Sequence, residues 1–170
     1  TEHEVPWLPG YEGSQPVRLG NAVHDQLQLD MFGEVMDVMH QARRGGLISS
    51  EADWAFQRAL LTDIESEWQR PDHGIWEVRG PARHFMYSKA MTWVALDRGI
   101  RAVEAFGLKG PVARWRALRQ RIHDEVCERG YDRQLGSFVQ FYGSKDVDAS
   151  LLLLPTMGFL PADDPRIRGT

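Results

Sequence analysis

Trp76 and Glu77 stand side by side at the centre of a short segment that begins at Pro71 and ends at Pro81. Prolines at both ends restrict the backbone, so the segment is predicted to be a loop with little conformational freedom. An indole beside a carboxyl group favours acid chemistry, because an apolar wall raises the carboxyl pKa. The indole face can also stack on the C–H groups of a sugar ring. Taken alone, such a pair is more often a half-buried aromatic residue beside a solvated acid.

Other residue types that carry chemistry do not form recognisable sites in the sequence. The six histidines lack the HxxxH or HExxH spacing of a metal site, and no GxSxG, P-loop or GxGxxG motif occurs. We therefore expect neither a metal ion nor a cofactor. His73 and His84 flank the Glu77 segment and could bond a substrate hydroxyl, although the polarity of a loop also explains them. Cys127 lies near acidic residues that disfavour the thiolate, which indicates inert packing.

The length and charge of the chain argue against several classes of protein. Its 170 residues are enough for one core of ordinary size. A net charge of −4 and the lack of a basic stripe argue against nucleic-acid binding. The longest apolar run, Leu151 to Leu154, is far too short to cross a membrane, so neither nucleic acid nor a membrane is expected as a partner. The single cysteine suits a reducing compartment, which predicts a cytoplasmic location.

Apolar residues recur at helical spacing in several stretches, which predicts an all-α chain. Asn21 is a good N-cap residue, so the first helix is expected from Asn21 to Arg44. Gly45 and Gly46 follow it and should end it. The apolar positions of this first helix are Leu27, Met31, Val35, Val38 and Met39.

The later helices have start signals of their own. Ser50 and Asp53 form a capping-box pattern at the start of the second helix. Its inner face should hold Trp54, Leu60, Leu61, Ile64 and Trp68. A third helix is expected from near Arg83 to Phe106, and a fourth begins with Pro111 as its first residue. A fifth should run from Asp148 to a stop before Pro155, and Asp148 could cap this helix or reach the functional cleft.

The connections between these helices alternate in length: long, short, long, short, long. In a stack of antiparallel helices alternate connections fall on the same end, so residues 1–20, 71–82 and 129–147 should share one rim, with Glu77 in a concavity. A short hairpin is expected around residues 137–142. The rim loops contain Trp7, Tyr11, Trp76, Glu77, Arg79, Tyr131, Phe141 and Tyr142. Function concentrates on long loops of a rigid scaffold, and the pattern fits a toroid of helical hairpins with a carbohydrate cleft.

Four stretches of the chain resemble the catalytic domain of family 15 glycoside hydrolases, the glucoamylase-like enzymes, and especially their bacterial branch. They are PGY, PVRLGN and QLQLD within residues 9–30, GIWEVRG at 74–80, SK and WVALDR within 88–98, and YGS and DAS within 142–150. The resemblance implies part, about half, of an (α/α)6 barrel built of antiparallel helical hairpins. It also implies that residues 1–170 form a single partial domain, the middle portion of that barrel.

The resemblance assigns the acid chemistry to one residue. The glutamate that follows tryptophan in GIWEVRG is the general acid of the family, and this position is Glu77. Family members invert configuration at the anomeric carbon, so a second carboxylate must activate a water molecule across the cleft. The resemblance places that base beyond Thr170, and an Arg–Asp pair that grips the terminal sugar before Thr1.

Five further residues are candidates for substrate binding. Trp76 should wall the acid and the sugar, and Arg79 should orient the carboxylate or bond a hydroxyl. The others are Asn21, Arg18 and Tyr142. Fungal glucoamylases carry a second acid where this chain has Val78, so their subsite detail does not transfer, and Arg79 favours a bacterial oligosaccharide enzyme or a trehalase relative.

Three functions stay open at this point. The first is hydrolysis of α-glucosidic bonds in oligosaccharides or polysaccharides with inversion, and the second is cleavage of an α,α-1,1 bond by a trehalase. The third belongs to another class, a helical-repeat binding or scaffold module without catalysis; a pocket in which burial raises the pKa of Glu77 would argue against it. Besides a carbohydrate substrate, the expected partners are the rest of its own barrel and, through exposed helix faces, other copies of the chain.

Overall fold

The long helix α3, Met86–Phe106, lies at the centre of the fold. Every residue from Met86 to Ile100 is buried, and a helix that is buried all round must be covered on every side. Helices α1, Asp30–Arg44, and α4, Val112–Arg129, pack against α3, and α2, Glu51–Glu67, contacts both α3 and α1. The computed structural model describes residues 2–48 and 50–170.

The remaining elements are short. Two helices follow α4, namely α5, Leu154–Met157, and α6, Pro165–Gly169. Single 3-10 turns occupy Tyr11–Gly13, Val23–Asp25 and Ala149–Leu153. Strand β1, His3–Glu4, pairs antiparallel with β2, Arg18–Leu19, and β3, Tyr131–Asp132, pairs antiparallel with β4, Ser137–Phe138. The strands have only two residues each, so the predicted all-α fold is confirmed.

Helix α2 begins with the predicted capping box. The backbone N–H of Asp53 donates to Ser50 Oγ at 3.1 Å, and the backbone N–H of Ser50 donates to Asp53 Oδ2 at 2.8 Å. Two N–H groups that the helix leaves unpaired are thereby satisfied. The buried side chains include Trp54, Leu61, Ile64 and Trp68, which lie on the predicted inner face.

The predicted start of α1 is wrong, and two of its predicted apolar positions are exposed. The helix begins at Asp30, and the Oδ1 of Asn21 instead accepts the N–H of Val23, the first residue of the 3-10 turn before the helix, at 3.0 Å. Met31 and Val38 are exposed, and the buried face carries Gly33, Met36, His40 and Arg43. A Cβ atom at Gly33 would lie 2.4 Å from the carbonyl oxygen of Met91, so α1 approaches α3 through its glycine. This close approach turns Met31 and Val38 outward and leaves Val35 and Met39 half-buried.

Three later boundaries also differ from the prediction. Helix α3 begins at Met86 rather than Arg83, because residues 83–85 pair with neighbouring loops. Pro111 immediately precedes α4 instead of being its first residue. The last predicted helix starts as a 3-10 turn after Asp148, and α5 passes through Pro155 instead of stopping before it. Proline is tolerated there because the first turn of a helix leaves its N–H groups unpaired.

The three long connections meet at one end of the helices, as predicted. Arg79 of the second connection donates two hydrogen bonds to Glu2 of the first, at 2.8 and 2.7 Å. The backbone N–H of Tyr142, in the third, donates to the carbonyl of His84 just after the second, at 3.1 Å. The third connection holds a hairpin, but β3 and β4 form it at residues 131–138 and not around residues 137–142 as predicted.

The opposite end of the helices holds short turns. The Trp54 indole donates to the carbonyl of Lys109 at 3.0 Å and ties the start of α2 to the turn between α3 and α4. A surface cavity of about 600 Å³ lies there, lined by Trp54, Arg58 and Leu108 among others, so it is remote from Glu77. Within residues 2–48 and 50–170, no helix is both long and apolar enough to cross a membrane.

Candidate active site

The loop that carries Glu77 is closed at its base. Asp72 and Arg83 exchange both backbone hydrogen bonds, each at 2.8 Å. The side chain of Asp72 is fully buried, and its Oδ2 accepts the backbone N–H of Leu29 at 3.1 Å. The N–H of His73 donates to the carbonyl of Leu27 at 3.0 Å. These bonds fasten the loop to the segment that leads into α1.

Gly74 lets the loop turn tightly over an aromatic floor. It adopts a positive φ of 67°, and a Cβ atom there would lie 2.9 Å from the ring of Phe85. Phe85 is buried and packs edge to face against Phe141, with ring centroids 5.8 Å apart. A side chain at position 74 would therefore strain the backbone and lift the loop off this floor.

Glu77 adopts a backbone conformation that is unusual for a residue other than glycine. Its φ is 49°, in the left-handed region, and its N–H donates to the carbonyl of Gly74 at 3.1 Å. Such strained residues cluster at active sites, where the surrounding structure holds them in place. Gln28 Nε2 donates to Glu77 Oε1 at 3.4 Å, and Gln26 Nε2 donates to the next carbonyl, that of Val78, at 3.2 Å. The segment before α1 thus supports the acid from one side.

The expected apolar wall around Glu77 is not present in the described chain. Glu77 is exposed, and Trp76 is 56% exposed. The physical reason is a polar contact, since the indole N–H donates to both carboxylate oxygens of Asp148, at 2.9 and 3.0 Å. Asp148 also accepts the N–H of Ser150 at 2.8 Å. The capping role considered for Asp148 is therefore present, and its carboxylate also contacts the Glu77 loop through Trp76.

Arg79 and Arg18 meet at a residue that the sequence did not single out. Glu2 accepts two hydrogen bonds from Arg79, and Arg18 Nε lies 3.1 Å from the same carboxylate. The hydrogen bonds from Arg79 hold the pKa of Glu2 below its ordinary value, although desolvation opposes this. The pair of arginines thus joins the first connection to the Glu77 loop. Glu2 belongs to no motif of recognised spacing, so nothing in the sequence could single it out.

The side chain of Tyr142 faces α4. Its ring stacks on His84, with centroids 5.8 Å apart, and the guanidinium of Arg129 lies 4.5 Å from the ring centroid. Burial, followed by the negative charge of Glu125, raises the pKa of Tyr142 well above its ordinary value. Asn21, at the turn before α1, makes its contact to the backbone of its own segment. The structure therefore does not bring these two candidates to Glu77 in the way that it brings Trp76.

Two buried carboxyl groups lie close to the loop. Asp30 is 5% exposed, and its Oδ1 has no hydrogen-bond partner among the described residues. Burial raises its pKa to about 6, and the charges of Asp72, Glu34 and Glu77 act in the same direction. Burial also raises the pKa of Asp72, which nearby Lys89 partly offsets. Asp30 falls in the QLQLD stretch, but as the first residue of a helix it reads as an ordinary helix-start acid.

No group of three or more His, Cys, Asp or Glu side chains is placed to hold a metal ion within the part of the chain that the structure describes. The polar groups of the rim instead suit hydroxyl groups, because they combine carboxylates, guanidinium groups and an exposed indole face. Because function concentrates on the loops of a rigid scaffold, this rim is the candidate site for a ligand rich in hydroxyl groups.

The chain belongs to glycosyl hydrolases family 15, because it matches the sequence profile of that family over residues 1–170. It is 43% identical over 170 residues to a trehalase of Thermoplasma volcanium, covering 99% of this chain and 27% of that protein. It is also 43% identical over 169 residues to a trehalase of Mycolicibacterium smegmatis, covering 99% of this chain and 25% of that protein. The chain therefore spans about a quarter of the length of these curated relatives.

Solved structures agree with the fold. A glycosidase variant superposes with a TM-score of 0.72 at 25% identity, covering 96% of this chain and 45% of that chain. A second variant gives a TM-score of 0.70 at 23% identity over the same shares, which bears on the fold alone. The predicted family and the predicted fold, part of an (α/α)6 barrel, are confirmed.

Proposed function

We propose that the protein carrying this chain hydrolyses an α-glucosidic bond with inversion, and that Glu77 is its general acid. The observation that carries the proposal is the conformation of Glu77, a left-handed residue at the tip of a loop that hydrogen bonds clamp at its base. The strain favours a functional role, because a glutamate in the left-handed region costs energy that a glycine at the same position would avoid. An acid so placed at the rim can reach the glycosidic oxygen of a bound sugar.

The first step is protonation of the leaving oxygen by Glu77 while a water molecule attacks the opposite face of the sugar. An inverting pair of carboxyl groups needs roughly 6.5–9.5 Å between them to admit this water. Asp148 is poorly suited to be the base, because its oxygens already accept bonds from Trp76, Ser150 and Gln140. We therefore propose that the base lies outside residues 1–170, in keeping with the proposal that this chain is the middle portion of the barrel.

Trehalose is the substrate that the similarity favours over maltooligosaccharides. The trehalases cited above are 43% identical to this chain, and the Sulfolobus acidocaldarius Trehalase 2 is 33% identical. In this proposal the Trp76 face stacks on a sugar ring, and Arg79, Arg18, Asn21 and Tyr142 contribute to the substrate site directly or by holding the loops. A cytoplasmic location is part of the proposal and is supported by the single cysteine, which suits a reducing compartment.

Glu77→Gln in the full-length protein tests the acid. The change keeps the shape of the side chain and removes the proton, so kcat on trehalose or maltose should fall about 10²–10⁴-fold. On an aryl α-glucoside, whose leaving group needs little protonation, the loss should be much smaller, and KM should change little on either substrate.

Glu67→Gln, on the surface at the end of α2, is the matched control and should leave both rates nearly unchanged. Equal losses on the two substrates would mean that Glu77 holds the loop and does not donate the proton. Absence of any glycoside hydrolysis by the full-length protein would favour the third possibility, a binding or scaffold module.

A further inference from the structure

The carboxylate of Asp148 gathers hydrogen bonds from three side chains and one backbone group. The Trp76 indole N–H lies 2.9 Å from Oδ1 and 3.0 Å from Oδ2. Ser150 donates its backbone N–H at 2.8 Å and its hydroxyl at 2.7 Å to Oδ1, and Gln140 Nε2 donates to Oδ2 at 3.2 Å. A carboxylate held on both oxygens has a fixed orientation, so it can fix the orientation of what it binds.

The Trp76 side chain depends on this contact more than a buried tryptophan would. Trp76 is more than half exposed as a residue, so packing does not by itself select the rotamer of its side chain. The indole has one donor and no acceptor, and a hydrogen bond to an ionised acceptor is roughly twice as strong as a neutral one. The bond to Asp148 is therefore the strongest directional contact that the described residues offer this ring.

We propose that Asp148 is a positioning residue for the general acid: it fixes the indole of Trp76, and the indole fixes the adjoining backbone of Glu77. The inference rests on the proposed function of Glu77 and extends it. Trp76 and Glu77 share a peptide unit, so the position of the indole affects the backbone of Glu77. Glu77 is in the left-handed region, and it would return to a more common conformation if the tip of the loop relaxed. The base of the loop is fastened on the side of Leu29, and Asp148 fastens its tip on the other side.

The positioning role can be separated from the capping role by substitution. Asp148→Ser keeps a good N-cap for the 3-10 turn Ala149–Leu153 but gives a side chain too short to reach the indole. Asp148→Asn keeps the shape and one carbonyl oxygen that can accept from both Trp76 and Ser150. Ser150→Ala, the matched control, removes a hydrogen bond to the same carboxylate and leaves the indole bond in place.

The experiment measures kcat and KM of the full-length protein on trehalose and on an aryl α-glucoside. A displacement of a catalytic group by about 1 Å costs on the order of 10²-fold, so Asp148→Ser should lower kcat on trehalose roughly 10–100-fold. The loss of kcat on the aryl glucoside should be much smaller, because its leaving group needs little protonation. KM should rise by a similar factor on both substrates, because the freed Trp76 ring also stacks on the sugar in the proposed site. Asp148→Asn should recover most of the rate, and Ser150→Ala should keep it.

Trp76→Phe removes the donor, and adding Asp148→Ser to it should cause little further loss, because the two changes break one contact. If Asp148→Ser lowers kcat equally on both substrates, or does not lower it, the positioning role is wrong. The proposed function would still stand if the loss of kcat in Glu77→Gln depends on the leaving group. If the loss in Glu77→Gln does not depend on the leaving group, the contact between Asp148 and Trp76 is tested by NMR instead, through the indole N–H signal of Trp76. An unshifted N–H signal in Asp148→Ser would then overturn the inference, and loss of its protection from exchange would support the Asp148–Trp76 part of it.

Discussion

Asp30 is a buried acid whose charge the fold offsets poorly. It begins α1 beneath the Glu77 loop, with one carboxylate oxygen lacking a described partner and with Asp72, Glu34 and Glu77 adding negative charge nearby. A fully packed structural role would call for a paired or apolar side chain at such a position. Buried, poorly paired acids are found preferentially near functional sites, which agrees with the placement of Asp30 next to the loop.

Asp30 should make the stability of the protein depend on pH. Burial raises its pKa from 3.8 to about 6, so between about pH 4 and pH 6 the folded state binds more protons than the unfolded state. The free energy of unfolding therefore falls as pH rises through this window. Asp30→Asn removes the titration, so the variant should lose less thermal stability than the wild type between about pH 4 and pH 7.

Thermal unfolding of the full-length protein across this range measures the effect. Asp63→Asn, at an exposed position of α2, is the control and should show the pH dependence of the wild type. The same slope in Asp30→Asn as in the wild type would contradict the assignment of this titration to Asp30.

Single residues were predictable from sequence where a local pattern carried the signal. The WE pair between two prolines indicated Glu77, and the capping box indicated Ser50. The partner of Trp76 could not be chosen in advance, because Asp148 lies 72 positions further along the chain and its reach depends on how two loops pack. For the same reason the sequence predicted that the Trp76 indole would shield the carboxyl group of Glu77. In the structure the indole binds Asp148, and Glu77 is exposed.

Helix α1 illustrates how an element can be predicted and its buried face missed. Periodicity marked a helix, but the apolar positions Met31 and Val38 are exposed, since the approach through Gly33 decides which side meets α3. A pattern of apolar residues does not show at which glycine two helices approach closely. The second helix was predicted more closely, because its start depends on Ser50 and Asp53 alone.

Gly33→Ala should therefore destabilise the protein although alanine is the better helix former. Its Cβ would lie 2.4 Å from the backbone oxygen of Met91, an atom that cannot move independently. Overpacking of this kind costs about 1–3 kcal/mol, which exceeds the gain of roughly 0.5–1 kcal/mol from removing a glycine inside a helix. Chemical denaturation of the full-length protein measures the net change.

Substitutions at two other glycines should cost less stability than Gly33→Ala and serve as comparisons. At Gly99 the added Cβ would meet the flexible end of Leu61 at 2.6 Å, so Gly99→Ala should cost less than Gly33→Ala. At Gly80 nothing lies within 4 Å, so Gly80→Ala should be tolerated. A variant Gly33→Ala as stable as Gly80→Ala would show that α1 and α3 can separate without loss.

The whole chain places its long loops together and exposes an apolar helix face. The rim arrangement was predictable from the alternation of loop lengths, because antiparallel helices leave no other choice of end. The apolar face between α1 and α2 includes Met31, Val35 and Phe56, and these side chains line a groove with no polar surface. In the proposed barrel, the rest of the protein would cover this face.

The isolated 170-residue chain should therefore be nearly inactive and should self-associate. It supplies the proposed acid but not the proposed base, and an inverting glycosidase needs both carboxyl groups. Its uncovered apolar side chains, of which Phe56 is 51% and Val38 65% exposed, favour association between copies. Sedimentation together with assays on trehalose and maltooligosaccharides measures both properties.

Substitutions on the apolar face connect the association to its cause. Phe56→Glu places a charge in the groove and should shift the chain toward monomer, because burying an unpaired charge is costly. Ala113→Glu adds the same charge at an exposed position of α4 and should leave the association unchanged. If the wild-type chain is monomeric, the prediction that the apolar face causes association is wrong. Turnover of trehalose or maltooligosaccharides by the chain at rates typical of an enzyme would place the base within residues 1–170 and would require a new assignment among its own carboxylates.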